Sequence, residues 1–309
     1  MVQPLAGEGD DVPPAPNAAR PAPASVPASL DAVGPGSTLD LDADAFNRFE
    51  AEGWEARASS YAFLSPVTAR VIGAILGAVA AGPGVQLLDV GSGPGDLAAA
   101  AAALGADAVG IDVAPSMVRR AALAHPSIPF RIGSFEAIPA GAGAFDAVAG
   151  NFVFNHVGRP GVALAEAHRV LRPGGWLAIS TWDAARVNRI LGLLLDAVEA
   201  ADAPPPPGMP TGPTNFRADD ELRALMTAAG FVEVGVSHLH YIANVPDSKT
   251  FWRGVLDSAV RIPPLVTGQA PEMQARIRAS FEELCAVHAR PDGTLAIPVA
   301  VQVTQGRRP

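Results

Sequence analysis

The chain has 309 residues, 49% of them hydrophobic and 17% charged, with a formal net charge of −9 and a single cysteine. That is ample to bury a sizeable core. The negative balance excludes the basic track that a nucleic-acid partner needs, and Cys285 alone excludes an internal disulfide or a cysteine metal cluster, which suits a reducing cytoplasm.

Residues 1–38 are rich in Pro and Ala, include Pro13-Pro14 and Pro21-Ala22-Pro23, and show no apolar period, which predicts an extended or disordered tail. The first residues carry acids rather than a basic leader, and no uninterrupted apolar run reaches the roughly 20 residues that cross a bilayer. Neither secretion nor a membrane span is expected. From Asp40 the pattern turns helical: Leu41, Phe46, Phe49 and Trp54 are separated by acids and small residues, the segment continues through Tyr61, and a second helix is predicted at about 66–81. Residues 39–82 thus read as an N-terminal helical cap.

A strand follows at 85–90, apolar enough to be buried on both faces, and runs into Asp89-Val90-Gly91-Ser92-Gly93-Pro94-Gly95-Asp96. Three glycines at alternate positions clear side chains from the turn, so a ligand can approach the backbone, and the Ala-rich stretch at 96–104 must be helix. A second strand, Ala108 to Asp112, ends on a carboxylate that can accept both hydroxyls of a ribose. A dinucleotide fingerprint needs G-x-G-x-x-G with phosphate over the helix N-terminus. Here the spacing is G-x-G-x-G, and Asp96 would repel a phosphate. Asp89 suits a cationic ligand instead.

Farther along, short apolar strands are predicted at 129–132, 145–152 and 175–181, with helices at 115–124 and 160–171, an alternation that implies a parallel sheet with right-handed crossovers. The second helix ends at Leu171-Arg172-Pro173-Gly174-Gly175, where proline cannot continue it. Ligand-binding residues of open parallel sheets lie at the carboxyl ends of strands, which puts Asn151 near one ligand and Asn155 and His156 near a second. His156 is the general-base candidate, with helix capping or pocket lining as its blander role. Beyond Asp183 come a helix at about 184–201, a proline-rich loop over 204–213, a helix from Asp219 to Gly230, a strand at 231–243, helices at 249–261 and 271–290, and a strand at 296–304. His238 and His240 share a strand face, but no acid or cysteine stands at ligand spacing in sequence, so packing is expected rather than a metal. Trp182 and Asp183 fall on the edge of the expected site.

The glycine turn resembles the first motif of class I S-adenosylmethionine-dependent methyltransferases, Gly110-Ile111-Asp112-Val113-Ala114-Pro115-Ser116-Met117 resembles their second, and Leu171 to Gly175 resembles the segment leading into their fifth strand. The resemblance implies an α/β, Rossmann-like sheet of seven strands, parallel with a terminal antiparallel strand, helices on both faces, over residues 83–309. The segments at about 184–216 and 245–290 would be lid insertions, the latter covering the acceptor pocket. It also implies S-adenosylmethionine as methyl donor and a small-molecule acceptor, O-methylation being slightly favoured. The donor's methionine end would meet Asp89, Gly91, Ser92, Gly93 and Gly95, its ribose Asp112, and its adenine Val113, Met117, Ser134 and Phe135, with Asn151 nearby. Trp54 and Tyr61 resemble the aromatics of the family's N-terminal cap and would close over the sulfonium. Ser134 stands where relatives often carry an aspartate for the adenine amino group. A fold of this kind can also hold S-adenosylmethionine as a scaffold for a cyclisation or other non-methyl reaction.

Overall fold

The computed structural model describes residues 42–210, 212 and 219–309. The expected tail over 1–38 and part of the proline-rich loop, at 211 and 213–218, lie outside the described residues. Helix α1 (Ala43–Arg57) starts where the Asp42 side chain accepts the Ala45 N–H, and a chain of short helices follows: a 3₁₀ turn (Tyr61–Phe63), α2 (Ser65–Thr68), another 3₁₀ turn (Ala69–Val71) and α3 (Ile72–Ala78). By length and composition Tyr61–Ala78 is apolar enough to cross a membrane. In the fold it is broken into these short pieces, and Val71, Ile72, Ile75 and Leu76 are buried in the core.

The sheet and its crossovers follow in order: β1 (Gln86–Val90), α4 (Asp96–Ala103), β2 (Asp107–Asp112), α5 (Pro115–Ala124), β3 (Phe130–Ile132), β4 (Phe145–Gly150), α6 (Pro160–Val170) and β5 (Leu171–Trp182). Then come α7 (Arg189–Ala200), α8 (Asp219–Ala228), β6 (Val232–Val245), α9 (Ser248–Ser258), α10 (Pro263–Thr267), α11 (Pro271–Ala286) and β7 (Leu295–Arg307). The seven strands lie in the order β3-β2-β1-β4-β5-β7-β6. Those from β1 to β5 pair in parallel, and β7, last in sequence, runs antiparallel between β5 and β6. Strand order reverses between β1 and β4, the switch point outside whose carboxyl ends a ligand crevice opens.

Both faces of the central strands are buried, as their continuous apolar character requires. Leu87, Ala147, Ala149 and Ala178 pack on one side with α3, α4 and α7, while Leu88, Val90, Val148, Leu177 and Ile179 pack on the other with α6 and α8. The helices between β6 and β7 extend the first core: Phe251 of α9 lies against Phe63 and against Phe281 of α11, and Cys285 is buried there, its thiol pushed up to about 12 by desolvation.

Several boundaries differ from expectation, among them that between α6 and β5. The helix expected to reach residue 171 stops at Val170, and Leu171 to Gly175 forms the bulged start of β5 rather than a separate turn. Register jumps there from Phe145 opposite Leu171 to Ala147 opposite Trp176, with Gly174 at φ +84°. Pro173 disfavours helical backbone at Arg172. The far end of β7 then claims the freed groups: Gly174 N–H donates to the Arg308 carbonyl and Arg308 N–H to that of Gly175.

Candidate active site

At the switch point the chain leaves β1 through Gly91, Gly93 and Gly95, all with positive φ. A Cβ on Gly91 would lie 2.3 Å from the Val153 side chain, so this position needs glycine for space as well as for conformation. Asp112, at the end of β2, holds the turn in place: one carboxylate oxygen accepts the Gly93 N–H at 2.8 Å, the other the Ala114 N–H at 2.9 Å. Ser92 N–H donates to the Ile111 carbonyl at 2.9 Å, a second stitch between turn and strand. Burial raises the Asp112 carboxyl above its ordinary range, and the two backbone donors oppose that shift.

Asp89 is 1% exposed. Its Oδ2 accepts the Ala98 N–H at 3.0 Å in the first turn of α4, while Oδ1 is buried with no hydrogen-bond partner. Desolvation, the leading cause, pushes this carboxyl well above the usual range. An orphaned buried acceptor on a cleft wall suits a cation bearing N–H donors. The residues present therefore fit the methionine end of S-adenosylmethionine, with Asp89 and the glycine turn as its holders and Asp112 placed for its ribose.

These groups open on a cleft of about 1060 Å³, the part open to solvent included. The structure brings Asp89, Gly91, Ser92, Gly93, Asp112 and Val113 together on its wall, and with them Met117, Ser134, Phe135, Asn151, Tyr61 and His156. Met117 is buried beside Ala58 and Ala114, with Trp54 and Tyr61 packed against it. Ser134 Oγ accepts the Glu136 N–H at 3.1 Å, and Phe135 sits edge-on to Phe154. Asn151 is engaged on both sides of its amide, donating to the Thr68 carbonyl at 3.1 Å and accepting from Ser180 Oγ at 2.8 Å, so it ties β4 to the cap and to β5. Two expected residues fall elsewhere. Gly95 is not on the wall; with φ +93° it starts α4, and a Cβ there would meet Phe130 and His125. Asn155 is buried within the 3₁₀ turn Phe154–His156 and is not on the cleft wall.

His156 ends that turn, carried by a strained link: Phe152 has φ +60°, unusual for an aromatic residue, and is held by the Ser180 Oγ on its N–H and by Trp182 stacked at 3.9 Å. Trp182 therefore supports the site from behind and is not on its wall. The Nδ1 of His156 lies 2.9 Å from Glu50, which is 2% exposed, and the Trp54 ring stands edge-on to the imidazole at 5.0 Å. The other Glu50 oxygen is 3.2 Å from Nε of Arg261.

Several wall residues were not anticipated. Asn47, Glu50 and Ala51 share one face of α1 with Trp54, at helical spacing 0, 3, 4 and 7. Because two of these are polar, the face reads in sequence as solvated, and no local signal reveals that it covers a cleft. Asn47 donates to Glu136 at 2.9 Å and accepts the Gly158 N–H at 2.7 Å, anchoring α1 there. The segment expected to cover the acceptor pocket, 245–290, adds no described residue to the wall. It packs instead on the outer side of the cap, where Val260 fills the space at Gly53, Ser258 donates to the Ser60 carbonyl, and Arg261 reaches Glu50. The reason is the apolar stripe of α9 to α11, which extends the core.

His238 also differs from its sequence reading, since two distant acids converge on it: Asp183 lies 3.1 Å from Nδ1 and Asp219 3.0 Å from Nε2. His240 stacks alongside at 6.3 Å. Among the described residues no group of His, Cys, Asp and Glu is arranged to hold a metal ion.

A family model described as a methyltransferase domain matches residues 88–179, which run from β1 through most of β5. Among curated relatives, a demethylmenaquinone methyltransferase from Renibacterium salmoninarum is 37% identical over 106 residues, 34% of this chain and 45% of that protein. A ubiquinone biosynthesis O-methyltransferase from Xanthomonas campestris is 38% identical over 104 residues, 32% of this chain and 44% of that one. The chain thus spans less than half the length of these relatives. The crystal structure of YcgJ protein from Bacillus subtilis superposes with a TM-score of 0.51 at 16% identity, over 77% of this chain and 98% of that one, a likeness of fold. With the glycine turn, the Asp112 clamp and the seven-strand order already seen, these matches identify the domain over β1 to β5 as a class I S-adenosylmethionine-dependent methyltransferase domain.

Proposed function

We propose that this protein transfers a methyl group from S-adenosylmethionine to an uncharged small-molecule acceptor, with a hydroxyl oxygen as the favoured acceptor atom. The observation that carries the reading is the buried pair of carboxylates around the glycine turn: Asp89 with an unpartnered oxygen, and Asp112 fixed by two backbone N–H groups at the cleft. The donor supplies an electrophilic methyl on a sulfonium, so the protein's work is to hold two molecules at near-attack distance in a dry cleft. Asp89 and the turn bind the cationic end. Asp112 accepts the ribose hydroxyls with lone pairs its backbone donors leave free, and Met117, Phe135 and Val113 flank the base. Trp54 and Tyr61 present aromatic surface over the same cleft.

The wall also speaks to the acceptor. Five carboxylates line the cleft, Glu50, Asp89, Asp96, Asp112 and Glu136, and among the described residues no Lys or Arg does. An anionic acceptor would find no counter-charge. Oxygen is favoured because His156 offers an imidazole at the end of β4, where a hydroxyl proton must leave as the methyl arrives. The O-methyltransferase relative points the same way by name. We place the protein in the cytoplasm, where a lone buried thiol fits, and assign it neither a nucleic-acid nor a membrane partner.

The test is S-adenosylhomocysteine release from the full chain across a panel of phenols, sugars and quinone precursors. Release with a hydroxyl acceptor is expected. Product formed without S-adenosylhomocysteine would replace this reading with the scaffold reaction. A thermal shift produced by NADH and not by S-adenosylhomocysteine would sink both.

A further inference from the structure

We infer that Glu50, from the N-terminal cap, is the positioning residue that makes His156 a base: it holds the imidazole in the Nδ1–H tautomer and leaves Nε2 as a lone-pair acceptor facing the cleft. The inference rests on the O-methyl reading above for its chemistry, and on geometry for its existence.

Glu50 is 2% exposed on a helix whose other wall residues are Asn47, Ala51 and Trp54. A carboxylate taken out of water needs partners: Oε2 lies 2.9 Å from Nδ1 of His156, while Oε1 is buried without a hydrogen-bond partner and has only the ion-pair contact to Nε of Arg261 at 3.2 Å. An ionised carboxylate only accepts hydrogen bonds, so Nδ1 carries the proton; a neutral imidazole has one N–H, so Nε2 carries the lone pair. Among the described residues Nε2 has no hydrogen-bond partner, and the side chain is 21% exposed where it lines the cleft. The edge-on Trp54 ring, at 5.0 Å, limits rotation of the imidazole. A histidine kept only for packing has no use for a buried carboxylate brought 106 residues along the chain to one ring nitrogen while the other is left to the cavity.

The arrangement does a defined job. As the acceptor oxygen takes the methyl carbon, its proton passes to Nε2, the electron pair of the carbon–sulfur bond stays on sulfur, and the resulting imidazolium lies against Glu50. The proton then leaves to solvent through the open side of the cleft. Arg261 lies within ion-pair distance of the second Glu50 oxygen, Arg57 on α1 adds positive potential, and Asp112 across the cleft acts on His156 with negative potential. Asp89, Asp96 and Glu136 line the same cleft. Arg261 lies just beyond α9, so the insertion between β6 and β7 reaches Glu50 through this contact, while Val260 and Ser258 brace the same cap helix and its end.

The test is nitrogen NMR of the histidine rings in the ¹⁵N-histidine-labelled full chain, with His156 assigned by the signals lost in His156→Ala. The wild type should show the Nδ1–H tautomer at His156. In Glu50→Ala, which removes the acceptor, His156 should lose this preference and show the Nε2–H tautomer as well. An Nε2–H tautomer in the wild type overturns the inference, as does an unchanged Nδ1–H tautomer in Glu50→Ala; if that variant does not fold, the wild-type tautomer alone decides. Calorimetry with S-adenosylhomocysteine runs alongside on the wild type. No binding there sinks the methyltransferase reading while leaving the tautomer result to stand or fall by itself.

Discussion

The two halves of the cleft are built by different means. The proposed donor half is local: Asp89, the glycine turn and Asp112 lie within 24 residues and are fixed by backbone N–H groups donating to the two carboxylates, the longest such bond spanning 19 positions. The proposed acceptor half is assembled by side chains from remote segments: Glu50 on His156 across 106 positions, Asn47 on Gly158 across 111, and Arg261 on Glu50. Backbone fixation makes the donor half intolerant of change at few positions. Side-chain fixation spreads the acceptor half over many replaceable contacts.

The largest expected effect therefore falls on the turn. Gly91→Ala forces a Cβ to within 2.3 Å of Val153 at φ +65°, and left-handed strain of about 1–3 kcal/mol together with overpacking of about 1–3 kcal/mol should destabilise the fold and abolish donor binding. Urea denaturation and calorimetry with S-adenosylhomocysteine measure both; near-normal binding would mean that the donor lies elsewhere. Next, Asp112→Ala leaves two backbone donors and the ribose hydroxyls without their acceptor, at about 1.5–3 kcal/mol for each bond to a charged group, so donor affinity should fall about tenfold or more. Asp112→Asn, which keeps one acceptor oxygen, should recover part of it. On the other side, His156→Ala should slow transfer to a hydroxyl by roughly 100-fold or more while leaving S-adenosylhomocysteine affinity unchanged. If both parameters fell together, the two halves would be one coupled unit and the contrast would fail.

The smallest effect lies outside the cleft. His238 is held above its ordinary 6.5 first by the hydrogen bond to Asp219 and then by that to Asp183. A raised histidine contributes its stability fully below 6.5 and loses it as pH rises through the folded value. With a side chain 36% exposed the contribution is screened, so His238→Ala should cost up to about 1 kcal/mol in mildly acidic buffer and almost nothing at alkaline pH. Thermal melts of both proteins across that range check the sign.

The same contrast explains what could be read in advance. Every strand of the sheet, and the glycine turn with its two acids, was legible because short-range pattern determines them: the central strands are continuously apolar, the last two alternate, and a turn that admits a ligand needs glycine. The Asp112 clamp on Gly93 and Ala114 was not, since a carboxylate expected to face a ribose gives no sign that it also holds backbone N–H groups. His156 was legible as a strand-end residue, but Glu50 was not, because a lone acid on a polar helix looks solvated until the tertiary fold buries it. The helices between β6 and β7 were seen correctly as helices. Their destination was misjudged because amphipathic spacing tells which face is buried and not against what; here it is α7 and the cap, not the cleft.

The cap also has a consequence for how such a protein can change. Helix α1 supplies four wall residues from one face, and side chains anchor it to β4's end and to the segment after α9. A single short stretch of chain can thus be exchanged or re-spelled without disturbing a strand or the glycine turn. The wall on that side can change by substitutions within this one short piece while the glycine turn is inherited intact, and an engineer seeking a new acceptor would vary Ala51 first, since Asn47 anchors the helix and Trp54 packs against Met117.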